Sequence, residues 1–166
     1  MKASNHLWAV LVGGTVPGMK LEVHDVLFAL GETVEDCVPS LRAQWRGEPE
    51  SLHLDAWGRL DAADGHEIAL SDEPPSGGRL WFVHTGGYDP ARFAEQHGNH
   101  FVVAADAAAA KARAVELASA WSLPHRDAQF EVDQVLDLTE AAGGRYLVPK
   151  PREGAAFSFV TDYVPL

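Results

Sequence analysis

Apolar residues fall in short runs separated by glycine, proline and charged segments, not in one long stripe. Residues 7–12 (LWAVLV) and 80–85 (LWFVHT) are such runs, and each leads into Gly-Gly. Residues 24–30 and 97–104 form a second run after a loop. All four are too short for helices and rich in Val, Leu, Phe and Trp, which predicts strands. A helix is expected after each pair. Thr33-Val-Glu-Asp36 has the form of a capping box, and Val34, Cys37, Leu41 and Trp45 recur at helical spacing up to Gly47. Pro39 removes an amide and clashes one turn back, so a kink, or a short turn with the helix starting near Pro39, is expected. Asp106 is placed to cap the alanine-rich residues 107–121, the strongest helical signal in the chain. Two further strands follow each helix: residues 52–60 and 67–70, joined by a hairpin turn at Ala-Ala-Asp-Gly, then residues 130–138 and 145–148, joined around Gly143-Gly144.

Each half of the chain therefore reads β-β-α-β-β. Without gaps and at a shift of 73, residues 7–28 and 80–101 are identical at nine positions, among them Trp8/Trp81, Gly13/Gly86, Gly14/Gly87, Glu22/Glu95 and His24/His97. At a shift of 72, HLDA at residues 53–56 returns as HRDA at 125–128. This spacing points to an internal duplication, with each copy covering the other's apolar face. The expected fold class is α+β: two tandem β-β-α-β-β repeats forming a pseudo-two-fold compact domain with antiparallel or mixed sheets. The expected organisation is residues 1–70 as the first repeat, 71–79 as linker, 80–149 as the second repeat, and 150–166 as a C-terminal extension with an extra strand near 157–164.

Composition adds limits. The 166 residues are 46% hydrophobic, 22% charged and carry a formal charge of −11, an ordinary globular mix with an acidic surface. The 13 Lys and Arg are scattered, so no nucleic-acid partner and no membrane surface is expected. No run reaches the ~20 apolar residues of a membrane helix. One cysteine excludes an internal disulfide and suits a reducing compartment. A soluble, cytoplasmic protein is the expectation, its partners a small molecule or another protein, its oligomeric state open.

The string VGGTVPG…LEVHDVLFALGETVEDCVPSLRAQWRG…LHLDAW resembles a bacterial family known as domain of unknown function 1543. Its motifs match at Gly13, Gly14, Glu22, His24, Asp25, Glu32, Thr33, Glu35, Asp36, Pro39, Trp45, His53 and Asp55. The second half departs from the pattern, with Gly98 in place of Asp25 and AD-A-AA in place of ET-x-ED. The resemblance implies an α+β bacterial protein of one or two copies and supplies no activity.

Candidate chemistry lies in two pairs per half. Glu22 and His24, and His53 and Asp55, are two residues apart, so each strand would aim an imidazole and a carboxylate to one side. Glu95, His97, His125 and Asp127 repeat the set. Three roles stay open: a structural hydrogen-bond network, a divalent-metal site, or an acid–base pair. Trp57 follows on the same strand side and is a candidate pocket wall. His66, His84 and His100 read as solvent or edge histidines, Cys37 as a core residue, and Trp8, Trp45, Trp81 and Trp121 as packing. The Gly-Gly pairs read as tight turns or bulges, since no phosphate-loop pattern follows them. Two functions follow: a non-enzymatic ligand- or protein-binding module, or a small metal-dependent or acid–base hydrolase.

Overall fold

The computed structural model describes residues 5–88, 91–118, 132–139 and 143–166. Its elements run β1 (His6–Gly14), β2 (Val23–Gly31), α1 (Val34–Gln44), β3 (His53–Arg59), β4 (Ala62–Ala63), β5 (His66–Ser71), β6 (Arg79–Tyr88), β7 (Glu95–Ala104), α2 (Ala107–Ala118), β8 (Val132–Asp137), β9 (Tyr146–Pro151) and β10 (Val160–Pro165). The fold is mixed α+β, and the strand pairs described are all antiparallel.

Three sheets share the work. The first has the order β10-β3-β1-β2, the second β4-β5-β9 and the third β7-β6-β8. One face of the first sheet carries Val10, Val12, Leu27, Ala29 and Leu54, which pack on Val34, Cys37 and Leu41 of α1. Its other face carries Leu7 and Ala9, which pack against Leu80, Phe82 and Leu138. The third sheet is covered in turn by α2, where Ala110 and Ala114 meet Val83 and Val102. The layers are thus helix, sheet, sheet, helix. Both β1 and β6 are buried on two faces, which is why they read as continuous apolar runs.

Several expectations change. Helix α1 begins at Val34, not near Pro39, with Thr33 and Asp36 closing a full capping box. The proline sits inside the helix at an exposed position, so the carbonyl it leaves unpaired, on exposed Glu35, faces water. Trp45 caps the C-terminus with its backbone amide on Leu41. Gly47 is needed instead for close approach: a Cβ there would lie 2.4 Å from the Thr15 carbonyl oxygen. The expected pairing of residues 52–60 with 67–70 is replaced by a two-residue hairpin, β4–β5, turning at Asp64 and Gly65 with φ of 45° and 73°. Strand β5 pairs with β9, and β10 joins β3, so the last two strands complete sheets begun in the first half. Residues 119–131, including Trp121, lie outside the described residues. Neither described helix is long and apolar enough to cross a membrane.

Candidate metal centre

The site grows from the end of β1. Gly13 pairs with His24 on β2 and with His53 on β3. Paired residues point to the same side of a sheet, so both imidazoles rise over this glycine. A Cβ on Gly13 would lie 2.6 Å from His53 Nε2, 2.9 Å from Asp55 Oδ2 and 3.0 Å from His24 Cδ2. Gly13 is the floor on which the cluster rests. Neither Gly13 nor Gly14 has positive φ, and both are paired strand residues, which corrects the tight-turn reading. Gly14 makes similar room for Trp45 and Ser51.

The segment before β3 is stitched to the end of β1. Ser51 Oγ accepts from the Thr15 amide at 2.8 Å and donates to the Glu48 carbonyl at 2.8 Å, while the Glu48 amide donates to the Thr15 carbonyl at 2.8 Å. His53 therefore enters β3 in a fixed position, only 3% exposed. Its Nδ1 lies 2.9 Å from the Ser51 carbonyl. A carbonyl only accepts, so Nδ1 carries the hydrogen and Nε2 is turned into the cluster.

There Nε2 meets Glu22 Oε1 at 3.0 Å and Asp55 Oδ1 at 3.5 Å. His24 Nε2 lies 3.4 Å from Asp55 Oδ2 and 3.8 Å from Glu22 Oε2. The 3.4 Å approach lacks hydrogen-bond geometry, so Asp55 Oδ2 is buried with no hydrogen-bond partner among the described residues. With neutral rings the group carries two negative charges and a nitrogen lone pair facing carboxylate oxygen. A proton or a metal ion placed among them would relieve that repulsion. Among the described residues, Glu22, His24 and His53 form one group whose ligand atoms all lie within 4.8 Å of one another. Glu22 and His24 are about half exposed, so they can close on an ion around the fixed His53.

Trp57 does not share the strand side of His53 and Asp55. Gly13 pairs with His53 and Val12 with Leu54, but Leu11 pairs with Ala56 and Val10 with Trp57. Asp55 is the extra residue of a β-bulge, and beyond it the alternation of faces is reversed. Trp57 therefore packs with Val10 and Val12 on the helix side of the sheet, away from His53. Trp57 does line an apolar cavity, but no member of the cluster lines it.

In the second half, His97 Nε2 lies 3.5 Å from Glu95 Oε2. The His97 ring stacks on His84 with centroids 4.9 Å apart and planes at 17°. His84 Nδ1 lies 2.7 Å from Asn99 Oδ1, and His100 Nε2 lies 3.0 Å from Thr85 Oγ1. Burial, then the neighbouring His84, lower the pKa of His100. His66 Nδ1 donates to the Asp64 carbonyl at 2.7 Å. His84, His100 and His66 are thus hydrogen-bonded and not merely solvated edge groups. His125 and Asp127 lie outside the described residues.

Two contributors escaped the sequence. Ser51 fixes the His53 ring from two residues away, a signal that was present but undistinguished. Tyr163 packs its ring on His53 at 4.5 Å between centroids, and it is remote in sequence.

The crystal structure of a protein Il1583 from Idiomarina loihiensis is similar over 98% of this chain and 97% of that one, with 30% identity and a TM-score of 0.67. The family described as Domain of Unknown Function (DUF1543) matches residues 19–70. The chain belongs to this family. The DUF1543 match spans Glu22, His24, His53 and Asp55 together. No curated protein matches the chain.

Proposed function

We propose that this DUF1543 protein binds a divalent transition metal at Glu22, His24 and His53, with Asp55 as a fourth ligand or as the base beside it. The observation that carries this is His53: a buried ring, its Nδ1 tied to a carbonyl, its Nε2 presented to a carboxylate 3.0 Å away. That is the outer-shell arrangement that orients metal-binding histidines. Two histidines and carboxylates suit zinc, iron or manganese, and a half-exposed rim leaves a position for water or a ligand. The competing reading is a structural network with a proton on His53. Protein purified without a histidine tag and stripped of metal should bind one equivalent of zinc by calorimetry. His24→Ala should weaken that binding by about 10-fold or more while leaving the melting temperature of the stripped protein unchanged, because His24 is half exposed. Stoichiometric binding that His24→Ala leaves intact, or no binding at all, would favour the structural network.

We also infer that the two halves are tandem β-β-α-β-β copies. Three features support it at one shift of 73. Strands β1–β2 and β6–β7 pair in the same register. The register breaks at Leu11/Val12 in one sheet and His84/Thr85 in the other. The Trp8 indole donates to the Gly31 carbonyl and the Trp81 indole to the Ala104 carbonyl. An experimental structure in which residues 7–31 and 80–104 failed to superpose would sink this inference.

A further inference from the structure

Beside the metal centre lies an apolar cavity of about 300 Å³. Leu11, Val26 and Ala56 form its floor, and Phe101, Phe157 and Phe159 its walls. Its place follows from the register. Gly13, His24 and His53 form one rung on the face of the first sheet that meets the second half. Leu11, Val26 and Ala56 form the next rung on the same face, two residues along β1 and β2. At about 3.4 Å per residue, the two rungs are about 7 Å apart.

We propose that cavity and metal centre are one binding site, for a small molecule with an aryl body and a short-tethered carboxylate or similar anionic head. The inference rests on the metal reading above. The volume is about twice the ~150 Å³ that holds a benzene ring in a protein interior, enough for a ring and a short tether. The lining sets the body's chemistry. Phe101, Phe157 and Phe159 form a continuous aromatic wall, with centroids 4.6 Å and 5.8 Å apart. Phe159 is 61% exposed, a large apolar side chain at the cavity with little protein over it. Among the described residues the uncharged polar side chains there are those of Asn99 and Thr161, and the Asn99 carbonyl oxygen is already engaged by His84. Among the described residues nothing charged lines the cavity, so a charged head is placed outside it. One rung away the metal centre supplies a cation for that head, at a separation a two-carbon tether spans.

The test uses 3-phenylpropanoate, with acetate as the head alone, on metal-free and zinc-loaded protein. Calorimetry should show 3-phenylpropanoate binding zinc-loaded protein about 10-fold or more tightly than acetate does, and more tightly than it binds metal-free protein. Ala56→Leu fills the floor of the cavity without touching a metal ligand. It should abolish the advantage over acetate and leave zinc affinity unchanged. Phe159→Ser, at an exposed wall position, should reduce the same advantage without risk to the core. A phenyl advantage that survives both substitutions, or binding equal with and without zinc, overturns this inference while the metal reading stands. Failure of zinc itself to bind overturns the metal reading and this inference with it.

Discussion

Replacing Gly13 by alanine would put a methyl group inside the cluster. The new Cβ would meet His53 Nε2 at 2.6 Å, and ordinary contact begins near 3.4 Å, so the ring must retreat by about 0.8 Å. It has little room to do so. His53 is buried and its Nδ1 is held by the Ser51 carbonyl at 2.9 Å, so withdrawal stretches or breaks that bond. Metal ligands tolerate displacements of only about 0.2 Å. The required movement is several times larger, and it falls on the one ligand that cannot adjust by rotating into solvent. Zinc affinity should fall by about 10–100-fold, the usual loss when a metal-bound histidine is mis-oriented. Overpacking should also cost about 1–3 kcal/mol of stability. That corresponds to a fall of roughly 2–12 °C in melting temperature for a chain of this size. Competition against a chromophoric chelator would measure the first, and thermal unfolding of metal-free protein the second. Backbone conformation does not confuse the result, because φ at Gly13 is not in the left-handed region. Unchanged zinc affinity and unchanged melting temperature would show that Gly13 is not the floor of a metal centre.

Three further outcomes are expected. Asp64 accepts from the Val103 amide at 3.1 Å and from Arg113 at 3.1 Å and 2.8 Å, joining the β4–β5 turn to β7 and α2. Asp64→Ala should cost about 2–3 kcal/mol in urea unfolding, and a change under about 0.5 kcal/mol would refute that role. Burial, then the charges of Asp36 and Glu35, push the Cys37 thiol up to about 11. Native protein should therefore not react with a thiol reagent at pH 8, and urea-unfolded protein should react with one equivalent. Burial alone would raise the Asp137 carboxyl, but hydrogen bonds from Thr139 and Arg79 outweigh it and hold it below its ordinary 3.8. The folded form then keeps this charge to lower pH than the unfolded chain does. The contribution is full above about pH 4 and is lost as pH falls through the folded value. Asp137→Asn should flatten the fall in urea midpoint between pH 5 and pH 3, and an unaltered slope would contradict it.

The parts of this structure legible in the sequence are those governed by local pattern. The runs at residues 7–12 and 80–85 lie in β1 and β6, and Asp106 caps α2 through the Ala109 amide at 2.8 Å. His24 and His53 meet over Gly13 as strand pairing allows, and Glu22, just before β2, and Asp55, at the bulge, complete the group that the E-x-H and H-x-D spacings suggested. What local pattern could not supply was pairing between distant strands. Nothing near residues 146–151 marks β5 as their partner, and nothing near Tyr163 points to His53. Pro39 misled because its cost depends on whether the freed carbonyl faces water, which is a property of the packed helix.

The bulge at Asp55 ties the site together. In an unbroken strand, His53, Asp55 and Trp57 would share one face, and the indole would lie over the rungs that face the second half. The extra residue changes the occupant of that face. Asp55 still reaches His53 and His24, but the next residue to pair there is Ala56, opposite Leu11. Trp57 is turned toward Val10 and the helix-side core. A methyl group thus stands where an indole would have stood, directly beside the histidines, and the apolar cavity opens over it. One inserted residue accounts for the space next to the cluster, while Asp55 keeps the face it would share with His53 in any strand. The sheet gives up a rung of hydrogen bonding at this bulge, and the second half has its register break at the matching His84/Thr85 position.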